Sequence, residues 1–348
     1  VQPMGVSYNS YLILDEKIAV MDSVDARAAD EWLAKLAHEL DGRSPDYLVI
    51  SHMEPDHSGS ILRLAEKYQE MKLVGNTKTF TMLRQFFGAK APTDDRLLEV
   101  GEGETLPLGA HTLHFMLAPM VHWPEVMVAY EETEKLLFSA DAFGRFGALS
   151  RTAAAPWAPQ ARRYYYNIVG KYGAQVQALL KKAAALEIET ICPLHGPVLT
   201  GEALGEALRL YDLWSRWQSE SPDDILLAHA SIHGNTARAA ELFKQKLEAA
   251  GARVTLCDLT TTEVSYAVAN AFYCGKLVLA CSTYDGGLFP PMEEFLSHLQ
   301  AKGFRDRSVG LMENGSWAPA AARLMRAKLE EMKDLRVCGT VVSLRSAL

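Results

Sequence analysis

The chain has 348 residues, 49% of them hydrophobic, and a formal net charge of −8, a length that predicts two domains. The acidic balance argues against nucleic-acid binding, which needs a basic surface, and no stretch approaches the roughly 20 uninterrupted apolar residues of a membrane span. The five cysteines include no C-x-x-C pair, which excludes an iron–sulfur or rubredoxin-type cysteine site and predicts reduced thiols in a cytoplasmic protein.

Strands and helices alternate over roughly the first quarter of the chain. Apolar runs bounded by turn residues predict the strands, and apolar positions at helical spacing predict the helices between them. The predicted strands cover 11–14, 18–21, 47–50 and 71–75, with helices beginning near Asp25 and Thr77. Such alternation predicts a sheet with both faces covered.

The pattern changes after residue 97, where short strands separated by turns follow one another. The other predicted elements of this region are a hairpin of 126–130 and 135–138, a long helix over 161–186, a strand at 189–192 and a helix at 202–218. This succession predicts a second sheet in the same domain, with helices beside it.

A polar segment with one proline, 219–224, predicts the boundary between a first domain, 1–220, and a second domain, 221–348. Strand and helix alternate regularly after it. The predicted strands are 225–228, 253–257, 277–281, 308–312 and 337–342, with helices at 235–250, 264–269, 292–301 and 318–332. Five strands that alternate with helices predict a parallel, doubly wound sheet with right-handed crossovers.

The stretch from Ser51 to Ser60 follows a predicted buried strand and precedes a predicted helix. Within six residues it places four side chains with metal-ligand chemistry: His52, Glu54, Asp56 and His57. Rigid scaffolds often carry their chemistry on such loops, and a solvated loop needs no pair of imidazoles with two carboxylates at this spacing. The motif therefore favours a metal site over a capped turn.

Three further candidates each lie just past a predicted strand: His122, Asp141 and His195. A solitary histidine after a strand is more often structural, so the joint pattern supports the hypothesis. By spacing, His52, Glu54 and His122 form one site and Asp56, His57 and His195 the other, with Asp141 between them. Zinc favours imidazole and thiolate ligands, whereas a mixed set of histidines and carboxylates suits iron or manganese.

Three loops of the second half predict a mononucleotide site, since each follows a strand on the same side of the predicted sheet, near its topological switch point. The loops are Ser231-Ile232-His233-Gly234-Asn235-Thr236, Ser282-Thr283-Tyr284-Asp285-Gly286-Gly287-Leu288 and Asn314-Gly315-Ser316-Trp317. Hydroxyls and backbone N–H groups at a helix N-terminus suit a phosphate. Loop glycines admit a flat ring, and Tyr284 or Trp317 can stack on it.

The pattern His52-x-Glu54-x-Asp56-His57, followed by His122, Asp141 and His195, resembles the di-metal motif of the metallo-β-lactamase fold. With Glu54 and the flavodoxin-type loops, the whole chain resembles the flavodiiron proteins, also called A-type flavoproteins or rubredoxin:oxygen and nitric oxide oxidoreductases. The resemblance implies an α/β fold: a metallo-β-lactamase-like αββα sandwich with a non-haem di-iron centre, followed by a flavodoxin-like doubly wound parallel sheet that binds FMN. In some members the residue matching His57 turns away from the metal.

The activity that this resemblance implies is electron transfer from FMN to two iron ions per chain, which reduce dioxygen to water or nitric oxide to nitrous oxide. A two-electron flavin and two ferrous ions together store the four electrons that one dioxygen requires. Because the two sites lie in separate predicted domains, a head-to-tail homodimer is expected, alone or paired into a homotetramer. The chain ends at Leu348 without a cysteine-rich extension, so the expected donor is a separate rubredoxin or similar carrier.

Two other functions stay open. One is a di-zinc hydrolase of the lactamase or glyoxalase type with a fused flavodoxin-like domain, against which Glu54 and the flavin loops argue. The other is a non-catalytic electron-transfer flavoprotein whose first domain has lost its metals, against which the intact ligand set argues. The preference between dioxygen and nitric oxide depends on residues around the irons that no motif reveals.

Overall fold

A computed structural model of the chain describes residues 4–152 and 154–347. The chain divides into two compact units. The first unit comprises Val1–Tyr165 and Ala174–Asp212, and the second comprises Tyr166–Gly173 and Leu213–Leu348.

Two sheets form the first unit. Its strands are β1 (Tyr11–Ile13), β2 (Ala19–Met21), β3 (Tyr47–Val49), β4 (Lys72–Gly75), β5 (Leu97–Glu99), β6 (Thr105–Pro107), β7 (Thr112–Leu117), β8 (Met127–Glu131), β9 (Leu136–Phe138), β10 (Thr190–Cys192) and β11 (Leu199–Thr200). In the described part of the chain, β1 to β5 form a five-stranded sheet in chain order, and the other six strands form a sheet of order β11-β10-β9-β8-β7-β6. After the β1–β2 hairpin the first sheet is parallel, so it needs crossover connections.

Helices supply those crossovers, and further helices lie between β9 and β10 and after β11. They are α1 (Ala29–Leu40), α2 (Pro55–Ser58), α3 (Ile61–Lys67), α4 (Thr77–Phe87), α5 (Leu149–Thr152), α6 (Trp157–Ile168), α7 (Gly173–Ala183) and α8 (Gly201–Ser215). Asn76 caps α4, since its side chain accepts hydrogen bonds from two backbone N–H groups of the first turn.

The two sheets pack face to face through apolar side chains. Val49 and Val74 of the first sheet share one buried cluster with Phe115 of the second. Because side chains alternate along a strand, the neighbouring Leu48 and Leu73 face the other way, where they pack with α1, α3 and α4. All five residues of β8 are buried, so both faces of the second sheet are covered there. The result is the predicted order of layers, helix–sheet–sheet–helix.

The strand directions bring several loops to one edge. Strands β7 and β9 are each antiparallel to β8, and β9 is parallel to β10, so β7, β9 and β10 all end at the same edge of the second sheet. Strands β2 to β5 likewise end at one edge of the first sheet. A hydrogen bond of 3.1 Å from the backbone N–H of Met127 to the carbonyl of Ser51 joins the two edges. The loops after β3, β7, β9 and β10 therefore meet.

The second unit contains the predicted doubly wound sheet. Its elements are β12 (Ser221–Ala230), α9 (Asn235–Ala249), β13 (Val254–Asp258), α10 (Val264–Tyr273), β14 (Cys274–Tyr284), β15 (Gly287–Leu288), α11 (Pro290–Ala301), β16 (Ser308–Asn314), α12 (Ala321–Glu330) and β17 (Arg336–Leu344). The order is β13-β12-β14-β16-β17, with every neighbouring pair of that path parallel. No helix within residues 4–152 and 154–347 combines the length and the apolar character needed to cross a membrane.

The prediction of one helix over 161–186 is wrong. Helix α6 ends at Ile168, a 3-10 turn covers Gly170–Tyr172, and α7 begins at Gly173. Two glycines within four residues weaken a helix, because glycine loses the most backbone freedom on folding. Gly173 is also closely packed, since a Cβ atom there would lie 2.2 Å from the carbonyl oxygen of Ser215.

Strands β12, β14, β16 and β17 of the second unit are longer than predicted, the first two by the most. Strand β12 begins at Ser221, inside the polar segment, where Asp223 and Asp224 pair with Lys276 and Arg253 at 3.1 and 2.6 Å. Strand β14 runs to Tyr284, so the predicted loop 282–288 is a hairpin with β15. Asp285 and Gly286 form its turn with φ of 50° and 71°, the left-handed geometry that favours an Asp-Gly pair in a two-residue turn.

Candidate functional site

The loops that meet at the edge of the first unit carry all seven predicted metal ligands. Their polar atoms form two groups in which each ligand atom lies within 4.8 Å of the others. We call His52, Glu54 and His122 the first ligand set, and Asp56, His57 and His195 the second ligand set. Asp141 lies with the first group and contacts both sets.

Local structure orients the central loop. Glu54 occupies the N-cap position of α2 and Pro55 its first turn, so Asp56 and His57 project from one helical turn. The carboxylate of Asp22 accepts a hydrogen bond of 2.7 Å from the backbone N–H of Ser51. Asp22 is buried, and burial raises its pKa. This loop-bracing residue was not predicted from the sequence.

The first ligand set surrounds one oxygen of Glu54. Glu54 Oε2 lies 3.3 Å from His52 Nε2 and 3.1 Å from His122 Nε2. Asp141 Oδ2 approaches the same two nitrogens, at 3.6 and 3.1 Å. Two imidazole nitrogens and two carboxylate oxygens thus face one point.

The second ligand set has the same construction. Asp56 Oδ2 lies 3.4 Å from Nε2 of both His57 and His195. The other oxygen of Asp141, Oδ1, lies 3.2 and 3.5 Å from those nitrogens. His57 therefore faces the cluster, unlike the residue that turns away in some members of the resembled family. Asp141 directs one carboxylate oxygen at each set.

The residues present fit a pair of bound cations. His57 Nε2 and His195 Nε2 lie only 3.1 Å apart, an approach that at most one proton can bridge. Asp56 Oδ1 is buried without a hydrogen-bond partner among the described residues. Buried carboxylate oxygens are costly unless they are paired or bound to a metal. The set offers imidazole and carboxylate but no thiolate, which suits iron or manganese as well as zinc.

Mutual interactions shift the pKa values of the cluster strongly. Burial opposes the charged form of His52, but hydrogen bonds to Glu125 and Glu54 and the charge of Asp141 raise its pKa to about 10. Burial also opposes ionisation of Glu54, yet hydrogen bonds from His122 and His52 lower its pKa to about 2. The pKa of Asp141 is lowered as well, although burial opposes its ionisation, by the charge of His57 and a hydrogen bond from His122. Glu54 and Asp141 are therefore ionised at neutral pH, and they give the cluster an affinity for positive charge.

Groups behind the ligands were not predicted from the sequence. Glu125 Oε1 accepts a hydrogen bond of 2.8 Å from His52 Nδ1, and the carbonyl of Ser7 accepts one of 2.8 Å from His195 Nδ1. The Trp123 ring stands at 90° to His52 with centroids 5.2 Å apart, and the Tyr164 ring lies 5.6 Å from His195. Glu125 lies far from His52 in the chain, and Ser7 acts through its backbone, so neither contact leaves a signal in the sequence.

A cavity of about 480 Å³ opens in the second unit where the three predicted flavin loops meet. The predicted residues that line it are Ser231, Ile232, His233, Asn235, Thr236, Ser282, Thr283, Asp285, Gly286, Asn314, Gly315, Ser316 and Trp317. Ala318 and Ser346 also line it and were not predicted. The predicted residues outside the lining are Gly234, Tyr284, Gly287 and Leu288.

The first of these loops leads into the N-terminus of α9. Gly234 precedes the helix with φ of +85°, a left-handed conformation that glycine adopts without strain. The hydroxyls of Thr236 and Ser282 lie 2.8 Å apart and join the first two loops. Free backbone N–H groups and hydroxyls at a helix N-terminus suit an anion such as a phosphate.

The two predicted ring neighbours differ in position. The Trp317 side chain lines the cavity and is 88% exposed. Tyr284 does not line it, and its ring lies 5.8 Å from Phe289. The hairpin explains this difference, because adjacent residues of a strand point to opposite sides and Thr283 takes the cavity side.

Comparison with known proteins gives the family of the chain and its similar proteins. Residues 6–196, more than half of the chain, match the family described as ODP family beta lactamase. The nitric oxide reductase of Moorella thermoacetica is 27% identical over 94% of this chain and 83% of its own length. The structure of rubredoxin oxygen:oxidoreductase from Desulfovibrio gigas is similar with a TM-score of 0.91 at 27% identity, covering 100% of this chain and 87% of that one.

A second solved structure, the flavodiiron protein from Giardia intestinalis, gives a TM-score of 0.87 at 26% identity and covers 97% of this chain and 85% of its own. The predicted fold class, a metallo-β-lactamase-like sandwich followed by a flavodoxin-like sheet, is confirmed by these matches and by the sheets themselves. The chain is similar to flavodiiron proteins over nearly its whole length, and it belongs to the ODP beta-lactamase family.

Proposed function

We propose that the chain is an oxidoreductase that passes electrons from FMN to a non-haem di-iron centre, where dioxygen is reduced to water, nitric oxide to nitrous oxide, or both. One observation carries the metal half of this proposal: the buried Asp141 carboxylate directs one oxygen at each of two histidine–carboxylate ligand sets. The names of the similar proteins, an oxygen oxidoreductase and a nitric oxide reductase, support the reaction.

The metal centre belongs to the proposed domain 1–220. Its proposed ligands are His52, Glu54, Asp56, His57, His122, Asp141 and His195. When bound, two iron ions supply electrons and open coordination positions for dioxygen or nitric oxide. The side chain of Glu54 is 36% exposed, whereas those of His52 and Asp141 are nearly fully buried, so substrate reaches the centre from the Glu54 side. The burial of His52, His57, Asp141 and His195 keeps bulk water from that part of the cluster.

The proposed domain 221–348 binds FMN. The 231–236 loop and the N-terminus of α9 hold the phosphate, because they offer hydroxyls and backbone N–H groups. The 282–288 hairpin and the 314–317 loop contact the ring system, with Trp317 as the stacking side chain. This assignment replaces the choice between Tyr284 and Trp317, since only Trp317 lines the cavity.

The proposed assembly is a head-to-tail homodimer, or a homotetramer of such dimers, in the cytoplasm. Its support is that the two sites lie in different compact units, so that a second copy can place its FMN beside the metal centre of the first. The proposed donor is a rubredoxin or a similar small electron carrier, in line with the name of the similar Desulfovibrio gigas protein.

The test is a comparison of metal content, flavin content and gas consumption in one purified preparation. We expect two irons and one FMN per chain. When reduced rubredoxin is supplied, we expect the protein to consume dioxygen, or to consume nitric oxide under anaerobic conditions. Side-by-side rates with the two gases give the substrate preference. Two zinc ions without iron would instead support the hydrolase, and flavin reduction without any gas consumption would support the electron-transfer flavoprotein.

A further inference from the structure

The ring of His52 is held at both nitrogens. Its Nε2 faces Glu54 and Asp141, while its Nδ1 donates a hydrogen bond of 2.8 Å to Glu125 Oε1. The side chains of His52 and Glu125 are both 0% exposed. When a metal is bound, the carboxylate keeps the remaining ring proton on Nδ1, so the lone pair of Nε2 is available to the metal.

Glu125 is itself held in place by two loops. Its Oε1 also accepts a hydrogen bond of 2.8 Å from the backbone N–H of Met53, and its carbonyl accepts one of 2.6 Å from Asn76 Nδ2. Glu125 Oε2 is buried without a hydrogen-bond partner in the described part of the chain. A buried carboxylate with one unpaired oxygen is unfavourable for folding alone, which indicates that its charge serves the neighbouring histidine.

The second ligand set has a different backing. His195 Nδ1 donates to the neutral carbonyl of Ser7 at 2.8 Å. His57 Nδ1 is buried and has no hydrogen-bond partner among the residues that the structure describes. The two sets therefore differ in the groups that accept from their histidines, although their ligand types are alike: a carboxylate accepts from His52 Nδ1, and no carboxylate of the described residues accepts from Nδ1 of His57 or His195.

We propose that Glu125 is a positioning residue that makes the first ligand set the tighter and the lower-potential of the two iron sites. This inference rests on the proposed function, since it requires two bound irons. A carboxylate behind a ligating imidazole fixes the ring and makes it a more basic ligand. A more basic ligand binds iron more tightly and favours its higher oxidation state, which lowers the reduction potential.

The experiment titrates ferrous iron anaerobically into the metal-free, FMN-loaded protein, in competition with a chromophoric chelator. In Glu125→Gln the amide oxygen can still accept from His52 while the charge is lost. Glu125→Ala removes both the charge and the contact. We expect one of the two irons to bind about 10-fold more weakly in the first variant and about 100-fold more weakly in the second, the range known for such partners. The other iron keeps its affinity, and the potential of the affected iron rises.

Glu131→Gln is the matched control. Glu131 is a fully buried carboxylate at the end of β8, the strand that follows Glu125, and it accepts backbone hydrogen bonds from Thr133 and Glu134 at 2.8 and 2.7 Å. This variant lowers the thermal stability but leaves both iron affinities and both potentials at the wild-type values. Wild-type affinities in both Glu125 variants would overturn the inference, as would equal weakening of both irons. If the wild-type protein bound no iron, the proposed function itself would fail.

Discussion

In the first unit, ligand atoms from four separate loops converge on a buried cluster. The cavity of the second unit is lined by residues of three short segments and by Ser346, and it stays open to solvent. The metal cluster depends on the identity and charge of side chains that are far apart in the chain, from His52 to His195. The flavin cavity depends on backbone conformation and small polar groups at strand ends. A single substitution should therefore damage the cluster more than the cavity.

The largest effect is expected for Asp141→Asn. An amide cannot direct an anionic oxygen at both ligand sets, so the protein loses more than about 100-fold in iron affinity, beyond the range for groups behind the ligands. FMN content stays at the wild-type value, because the cavity belongs to the other unit. Iron and flavin assays on the same sample measure both. The control is Asp30→Asn, which changes an exposed carboxylate of α1 and should leave the iron content unchanged. Full iron retention in Asp141→Asn would contradict the view that the metal cluster is the more sensitive of the two sites.

Glu54→Ala comes next. It removes the half-exposed ligand that faces both His52 and His122. We expect gas reduction to fall about 100-fold, the upper end of the range for perturbed metal sites, while rubredoxin still reduces the flavin at the wild-type rate. Stopped-flow flavin absorbance and an oxygen electrode separate the two steps. Glu66→Ala on exposed α3 surface should change neither rate. Equal loss of both steps would mean that the two sites are not independent.

Gly234→Ala tests whether the flavin cavity depends on backbone conformation. No atom lies within 4 Å of the position of an added Cβ, so the only obstacle is the φ of +85°. A left-handed alanine costs about 1–2 kcal/mol. We expect the loop to relax out of this conformation when FMN is absent, so that FMN binding, which restores it, weakens by about 5- to 30-fold. Flavin fluorescence titration measures it. Gly205→Ala, an equally uncrowded helix position without positive φ, should leave FMN affinity unchanged, and iron content should stay at two in both variants.

Trp317→Ala gives the smallest expected effect. Stacking contributes about 0.5–1.5 kcal/mol beyond area burial, so FMN binding weakens roughly 2- to 10-fold. Tyr284→Ala removes an aromatic ring from the same region that faces Phe289 instead, and its FMN affinity should equal that of the wild type. A larger loss in Tyr284→Ala than in Trp317→Ala would reverse the assignment of the stacking ring.

Much of the fold could be predicted because its signals are local. The apolar runs at 47–50 and 277–281 coincide with parts of β3 and β14, and the predicted helix from Thr77 to Phe87 coincides with α4. The predictions failed in two places: one where a turn signal in the sequence was overlooked, and one where a contact with a distant residue determines the local structure. The Asp285-Gly286 turn was available in the sequence, but the close approach of Gly173 to Ser215 was not.

The candidate metal ligands illustrate the same division. His52, Glu54, Asp56 and His57 could be singled out because they are crowded into one short motif. His122, Asp141 and His195 required the assumption that strand ends meet, which the pairing of β7, β9 and β10 supports. Their role as metal ligands stays a prediction until metal is measured.

By itself, the sequence determined the residue types and the strand ends at which they lie, since hydrophobic periodicity and turn residues act over a few positions. Only the tertiary structure decided that Asp141 faces both ligand sets, that Glu125 lies behind His52, and that Trp317 rather than Tyr284 lines the cavity. These outcomes depend on sheet pairing and side-chain direction between segments far apart in the chain, and such contacts leave no trace in local composition.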